Sequence, residues 1–568
     1  VRILTGSPAN AKIRLRFGES VGECCADIGG EKYFIAMATC KVPVKAGELS
    51  PISLSQIALD PTAKNGDSLA FGEKYDVLVF AQGVQADGFQ DFDYTPATAL
   101  TEAFGTTVPF DGVTYVPFTD LGSALHYLNG DATSTYLGGG DAASDAVNSI
   151  TFSTLKAHPE IAGAHTGVFT ANKVNEADFT AYTYYVQNDA GKYDIYVLSC
   201  GDTVYTPVES KKLFCNMKAL TNVDTSNLDV SETTGMSYMF TGCSNLKTLD
   251  VKDWDVSKVT TMEGMFMGAG ITTLDASGWD VGEVTSTHLM FSSCQSLTSV
   301  DMTGWKFGKL KTMYGMFSSC GQLTSVDCSD WGVSNVTSAQ RMFWECPNLA
   351  EANLSGWNLS SLTTTNEMFL NCKKLEKLYT LGWSLPNVQD AVSMFENCHS
   401  LEVLDVSNWN MTTVKATEMF SGCKVLKALD FSNWKNVTIQ SMHSMFAGCN
   451  SLANVNVSSW NVSAVTDMTN LFKDCASMTA IDISGWDTSN VTNMTQMFYM
   501  VNNNTSLKTI TVGGSWSTAK VTTDTNMFNG CISLKGGKGT TYNASKVNKD
   551  YARIDGGTSK PGYFTEKK

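Results

Sequence analysis

The sequence predicts a right-handed solenoid of short parallel strands and short helical turns, twelve coils over residues 220–534, behind a mostly β N-terminal region of sandwich type. Three observations predict it. Phenylalanine recurs at Phe240, Phe266, Phe291, Phe317, Phe343, Phe369, Phe395, Phe420, Phe446, Phe472, Phe498 and Phe528, with gaps of 25 or 26 residues until the last, which is 30. Tryptophan, methionine and cysteine keep step with it. Within one period, apolar residues alternate first as a strand does and then at helical spacing.

Each phase-locked position has its own reading. Methionine precedes the phenylalanine in eleven of twelve copies, and Leu471 replaces it once. Tryptophan lies twelve residues before it at Trp254, Trp279, Trp305, Trp331, Trp357, Trp383, Trp434, Trp460, Trp486 and Trp516, eleven before it at Trp409, and Leu228 stands there in the first copy. Cysteine lies three after it in ten copies, Cys243, Cys294 and Cys320 among them, with Ala269 and Val501 in the other two. Those substitutes are small and apolar, so the position is expected to be a buried one. The Phe, Trp and Cys columns are the expected core ladders.

Within one copy, Leu249, Asp250 and Val251 alternate as a half-buried strand does. Val259, Met262, Met265 and Phe266 then show the three-and-four spacing of one or two helical turns. Thr260 with Glu263 has the form of a capping box at the start of such a helix. Each coil is thus expected to run strand, turn, short helix, turn. Twelve coils at about 4.8 Å would make an arm of roughly 55–60 Å.

The copies LDVSNWNMTTVKATEMFSGCKVL, Leu404 to Leu426, and IDISGWDTSNVTNMTQMF, Ile481 to Phe498, share a pattern of MF, a cysteine three later, then L, LD-x-S-x-W and V-T-x-M. That pattern resembles the BspA-like leucine-rich-repeat family, in the subtype of mycoplasma and bacterial surface proteins. The resemblance covers about 220–534, and the tail YARIDGGTSKPGYF, Tyr551 to Phe564, is similar to endings of such arrays. It implies a leucine-rich-repeat solenoid and a role in surface display, adhesion or binding. It brings no catalytic residues.

Length and charge narrow the classes. At 568 residues the chain exceeds one compact core. A formal net charge of −16 argues against nucleic acid as the main partner. No stretch has the length of a transmembrane helix. Val1-Arg-Ile-Leu leads straight into polar residues, so a signal peptide is expected to have been removed or never to have been present. Of the sixteen cysteines, ten follow the repeat and would stack as buried free thiols rather than face disulfide partners. Cys24 and Cys25 are adjacent without a C-x-x-C pair, so no zinc site is expected there. A Cys200–Cys215 bridge remains open.

Residues 1–200 read as a β-rich anchoring or assembly region. Ile13, Leu15 and Phe17 alternate with Lys12, Arg14 and Arg16, and Tyr75–Phe80 and Tyr193–Leu198 are strand-like. A helix is expected over 120–128, and Gly138–Asp141 reads as a loop between lobes. Residues 201–219 would form the junction and first cap, and 535–568 the C-terminal cap, because an open solenoid end exposes its core. Gly536–Thr541, GGKGTT, has a superficial likeness to a phosphate loop but lacks its spacing and preceding strand.

No histidine pair has metal-ligand spacing and no G-x-S-x-G elbow occurs, so neither metal, cofactor nor catalytic machinery is expected. The sequons at Asn335, Asn410 and Asn490 follow from the repeat. The candidate ligand-binding residues are a column at the outward strand position: Asp224, Asp250, Asp275, Asp301, Asp327, Asp405, Asp430 and Asp482, with Asn353 and Asn456 in two of the gaps. Stacked at strand spacing, such carboxylates repel unless cations, a basic partner or sugar hydroxyls balance them. The other reading is that each accepts hydrogen bonds from the following turn. The tryptophans are read as core in preference to a carbohydrate platform.

The expected function is a non-catalytic attachment protein of a cell surface. Its repeat arm would bind a protein or glycan ligand, and its N-terminal region would hold other subunits. The alternative is a structural bacteriophage protein, a fibre or decoration subunit on the virion surface.

Overall fold

The computed structural model describes residues 203–434 and 437–567 and, before them, 2–6, 13–16, 21–28, 31–38, 56–59, 77–80, 147–154, 157–158, 181–187 and 190–199. The expected helix at 120–128, the loop at 138–141, Cys40 and Cys200 lie outside the described residues. The chain forms two compact units, residues 1–208 with 217–232, and 209–216 with 233–568.

In the first unit, Val21–Ile28, Glu31–Ala38, Arg2–Gly6 and Val77–Phe80 form an antiparallel sheet in that order. Ile13–Arg16 pairs antiparallel with Gln56–Leu59. A second four-stranded sheet is mixed. Its central strands, Val147–Thr154 and Tyr193–Ser199, are parallel, Ala181–Gln187 joins the latter antiparallel, and Asn222–Asp224 joins the former parallel. Ile150, Phe152, Ile195 and Val197 are fully buried, as β-branched and aromatic residues at alternate positions should be.

The second unit is a tandem-repeat stack. Three-residue parallel strands carry one face, as in Thr273–Asp275 on Ser299–Asp301 and the set Ser325–Asp327, Glu351–Asn353, Lys377–Tyr379. In each, the middle residue points inward and the outer two outward. Phenylalanine rings stack between neighbouring coils with centroids from 4.8 Å, Phe214 on Phe240, to 5.9 Å, Phe472 on Phe498. Phe214 is a rung earlier than the period suggested, because Leu213-Phe214 lacks the Met-Phe signature. Indoles stack from Trp254 to Trp409 at 5.7 to 6.4 Å. Each aromatic pair adds about 0.5–1.5 kcal/mol beyond its burial.

The Met-Phe segment is not the short helix its spacing suggests. Along residues 262–269, alternate amides leave the coil: those of Met262, Gly264, Phe266 and Gly268 donate to carbonyls of Ser286, His288, Met290 and Ser292. The amides between them, of Met265, Met267 and Ala269, close three-residue turns onto Met262, Gly264 and Phe266. A helix would need every amide for its own i−4 carbonyl. The backbone also turns left-handed twice per coil, two residues before the phenylalanine and two after, as at Arg341 (φ 58°) and Glu345 (φ 56°). Left-handed residues every fourth position cannot occur in a right-handed helix. The capping box fails with it: the Thr260 hydroxyl donates to the Thr234 carbonyl, and Glu263 accepts from the Ser286 hydroxyl.

Val501 is a second correction. It is 51% exposed, whereas Ala269 is 2% exposed. The longer 30-residue gap pushes Val501 outward with the loop that follows, and its amide donates to Asp474 at 2.7 Å.

The tail closes the far end. Phe564–Glu566 adds a parallel strand to Thr509–Val512, and the buried Tyr563 ring lies 5.3 Å edge-on to Phe528. Asp555, 2% exposed, is clasped by Gly536–Thr541: the amides of Lys538 and Thr540 and the Thr540 hydroxyl all donate to its carboxylate. The loop that looks like a phosphate cradle thus holds an anion of its own chain. Those bonds outweigh partial desolvation and hold the Asp555 carboxyl well below the carboxylate range.

Candidate functional site

The outward strand face is built by the D-x-S turn that ends each short strand. An aspartate in the last strand position can fold its carboxylate back onto the amide two residues on, which starts the turn toward the tryptophan. Every aspartate of the column does so. The amide of Ser226 donates to Oδ1 of Asp224 at 3.0 Å, and Asp224 belongs to the first unit. In the second unit, Lys252 donates to Asp250 (3.3 Å), Ser277 to Asp275 (3.0 Å), Thr303 to Asp301 (3.0 Å) and Ser329 to Asp327 (2.9 Å). Ser407 donates to Asp405 (2.9 Å), Ser432 to Asp430 (2.8 Å) and Ser484 to Asp482 (3.0 Å). Asn353 and Asn456 accept the same bond at 3.2 and 3.4 Å. The turn-forming reading of the column therefore has its geometry.

One oxygen per carboxylate, Oδ1, makes this bond. The Oδ2 atoms of Asp275 and Asp482 pair with Lys252 at 3.0 Å and Lys567 at 2.7 Å, and that of Asp327 accepts from Asn353 at 3.3 Å. The Ser277 hydroxyl, then Lys252, pull the Asp275 carboxyl down to about 2. The Ser407 hydroxyl and amide lower Asp405. At Asp327 partial burial pushes up, and the bonds from Ser329 and Asn353 outweigh it. All three are ionised at neutral pH. Among the described residues, no group of three or more His, Cys, Asp or Glu is placed to hold a metal ion.

The core candidates lie inside. Phe240, Phe266, Phe291 and Phe317 are fully buried, and Trp254, Trp279 and Trp305 are at most 7% exposed, so none of these three indoles opens a face to a sugar. The indole N–H groups of Trp279 and Trp305 donate within the stack, to the Val251 and Ala276 carbonyls, whereas those of Trp254, Trp409, Trp434 and Trp460 are buried with no hydrogen-bond partner among the described residues. The cysteine thiols donate to the phenylalanine carbonyl of the preceding coil: Cys243 to Phe214, Cys294 to Phe266 and Cys320 to Phe291, at 2.9 to 3.1 Å. The Phe266 and Phe291 carbonyls also accept an amide from their own coil, that of Ala269 and of Cys294, so there the thiol serves the second lone pair. Burial pushes the Cys294 and Cys531 thiols up to about 12. Such thiols are inert at neutral pH. The sequon side chains Asn335 and Asn490 donate across coils to Gly308 and Ser463.

Two features escape the sequence reading. Tyr314 stacks on His288 at 4.9 Å and accepts from Arg341, which forms a two-pronged pair with Glu367. In addition Tyr379, Leu381 and Val403 stand 44%, 80% and 70% exposed on the strand face. Their signal was visible: Tyr379 and Leu381 replace both members of the D-x-S turn in one coil.

The stack of short parallel strands and aromatic ladders defines a tandem-repeat, solenoid-like protein. Three successive segments, 208–327, 312–428 and 415–539, match the family described as Mycoplasma protein of unknown function, DUF285. They span more than half of the chain, which therefore belongs to that family. No curated protein matches the chain. No helix among the described residues is long and apolar enough to cross a membrane.

Proposed function

We propose that the protein is a non-catalytic attachment protein of a cell surface, in which a right-handed twelve-coil solenoid of BspA-like leucine-rich-repeat type presents a binding face. Residues 1–200, as a sandwich-like region, would hold it to a larger assembly. One observation carries this reading: the phase-locked residues are consumed by the core, whereas the outward strand positions vary from coil to coil between acidic, amide and apolar. The core accounts for the first set, whereas the second closes turns through one side-chain oxygen and stays accessible to a protein or glycan ligand. In the first unit, the basic strand Ile13–Arg16 belongs to a two-stranded sheet, a form suited to pairing with another chain.

The test presents the full-length chain to immobilised cell-surface proteins and glycans. Saturable binding is expected, reduced by substitutions on the strand face and unaffected by substitutions in residues 1–200. Turnover of any presented molecule, or no saturable binding to any of them, would overturn the reading.

A virion fibre or decoration protein is the second reading. The free thiols of Cys294 to Cys531 favour it, because they suit folding in a reducing compartment.

A further inference from the structure

The strand face turns apolar over residues 376–383. In most coils it ends in Asp-x-Ser or Asp-x-Thr, and the carboxylate closes the turn. In the coil of residues 376–383 the same positions hold Tyr379 and Leu381. The carboxylate-to-amide turn bond is given up there. In its place the coil exposes two large apolar side chains, and the next coil adds Val403, 70% exposed, at an outward strand position. Single exposed apolar residues need no explanation, but three on adjoining coils that break a local stabilising rule do. Backbone pairing is also interrupted: the strand set ends at Lys377–Tyr379, and residues 401–406 carry no strand.

The charges around the patch say what fits. Lys377 is balanced by Glu351, and Lys427 by Glu402. Asp405 and Asp430 use only Oδ1, for the turn. Asp327 and Asp430 each lie two coils from Tyr379, which is about 10 Å on either side at strand spacing. The apolar centre thus has carboxylates on both sides, Asp327 two coils before it and Asp405 and Asp430 one and two coils after it, with Asn353 between Asp327 and Tyr379.

We infer that Tyr379, Leu381 and Val403 are the docking centre for a protein segment with an apolar core flanked on both sides by arginine or lysine, lying across the coils between Asp327 and Asp430. The inference rests on the attachment reading and gives it a partner class. About 10 Å is three residues of extended chain, so the basic groups sit within three or four residues of the apolar ones. The apolar contacts supply affinity, and the carboxylates supply orientation and salt dependence.

The probe is the synthetic peptide Arg-Arg-Ser-Leu-Phe-Leu-Ser-Arg-Arg, titrated onto the full-length chain beside a Glu-flanked and a Ser-centred counterpart. The basic apolar peptide is expected to bind saturably, more weakly as salt rises, and the two counterparts are not. The variant Tyr379→Asp with Leu381→Ser restores the turn found in neighbouring coils, so it should melt no lower than the parent. Its affinity for the peptide should fall about tenfold or more. Equal affinity in this variant, equal binding of the Glu-flanked peptide, or no binding of the basic peptide would overturn the inference. The same variant separates it from the attachment reading. An arm that still attaches to its surface ligand after both substitutions leaves that reading standing and removes the patch, whereas a parent chain that attaches to nothing removes the reading itself.

Discussion

At the scale of the residue, most of what looks like chemistry here is turn construction. Asp405 is an example. Its carboxylate faces solvent and could hold a cation, yet its Oδ1 accepts both the amide and the hydroxyl of Ser407. Asp405→Asn keeps an acceptor and should change stability little, as Asn353 and Asn456 show by making the same bond. Asp405→Ala should cost about 0.5 kcal/mol, the low end for a hydrogen bond because the site is exposed. The pH dependence follows from the direction of the shifts. The carboxyls of Asp275, Asp327 and Asp405 titrate lower in the fold than the usual value of about 3.9. Their stabilisation is therefore fully present above about pH 4 and is lost as pH falls through the folded value, about 2 for Asp275. Thermal melts should decline below about pH 4, less steeply in Asp275→Asn with Asp405→Asn. A decline centred on neutral pH would contradict this assignment.

At the scale of the element, the coil trades helix for lateral bonding. Half of the amides in each Met-Phe segment bond to the next coil, and the chain reverses through two left-handed positions to make this possible. Glycine takes the second of them at Gly242, Gly268, Gly422 and Gly448, but Ser293 and Ser319 take it elsewhere, Ser319 at φ 59°. A non-glycine residue there costs about 1 kcal/mol. Ser319→Gly should therefore raise stability, by up to about 1 kcal/mol after the entropy lost from the unfolded chain is counted. Urea denaturation measures it. A loss of stability would show that the Ser319 side chain supports the turn in a way its backbone angle does not reveal.

At the scale of the whole repeat unit, stability is a sum over neighbours. Each coil buries its phenylalanine against two others, so a gap in the middle of the ladder weakens two interfaces at once. Phe343→Ala should cost about 3–5 kcal/mol, the range for an emptied aromatic core position. The thiols report whether the loss is shared. Cys320 and Cys372, on either side of the gap, are fully buried and free. They should resist a thiol reagent in the native protein and become reactive in the same denaturant transition as Cys449 and Cys475. Reaction of Cys320 and Cys372 well before the distant pair would show that the unit opens coil by coil.

The sequence by itself determined the period, the inward columns and the acidic strand position, because a stack of near-identical coils repeats every buried contact and leaves it written as spacing. Phe240 to Phe528, Trp254 to Trp516 and the D-x-S turn were all legible for that reason. Tertiary structure decided the backbone path between them. A three-and-four apolar spacing serves a helix or a chain of left-handed turns equally well, and only the carbonyls of the neighbouring coil tip the choice. It also decided where single residues ended up. Val501 left the core because the gap after it was longer, and Phe214 joined the ladder without the methionine that marked the others. Gly536–Thr541 closed on Asp555 because the returning tail brought that carboxylate to it. Tyr379, Leu381 and Val403 were plain departures from the repeat in the sequence. Their exposure depends on which way the backbone of each coil turns them, and only the stacking register sets acids one and two coils away beside them.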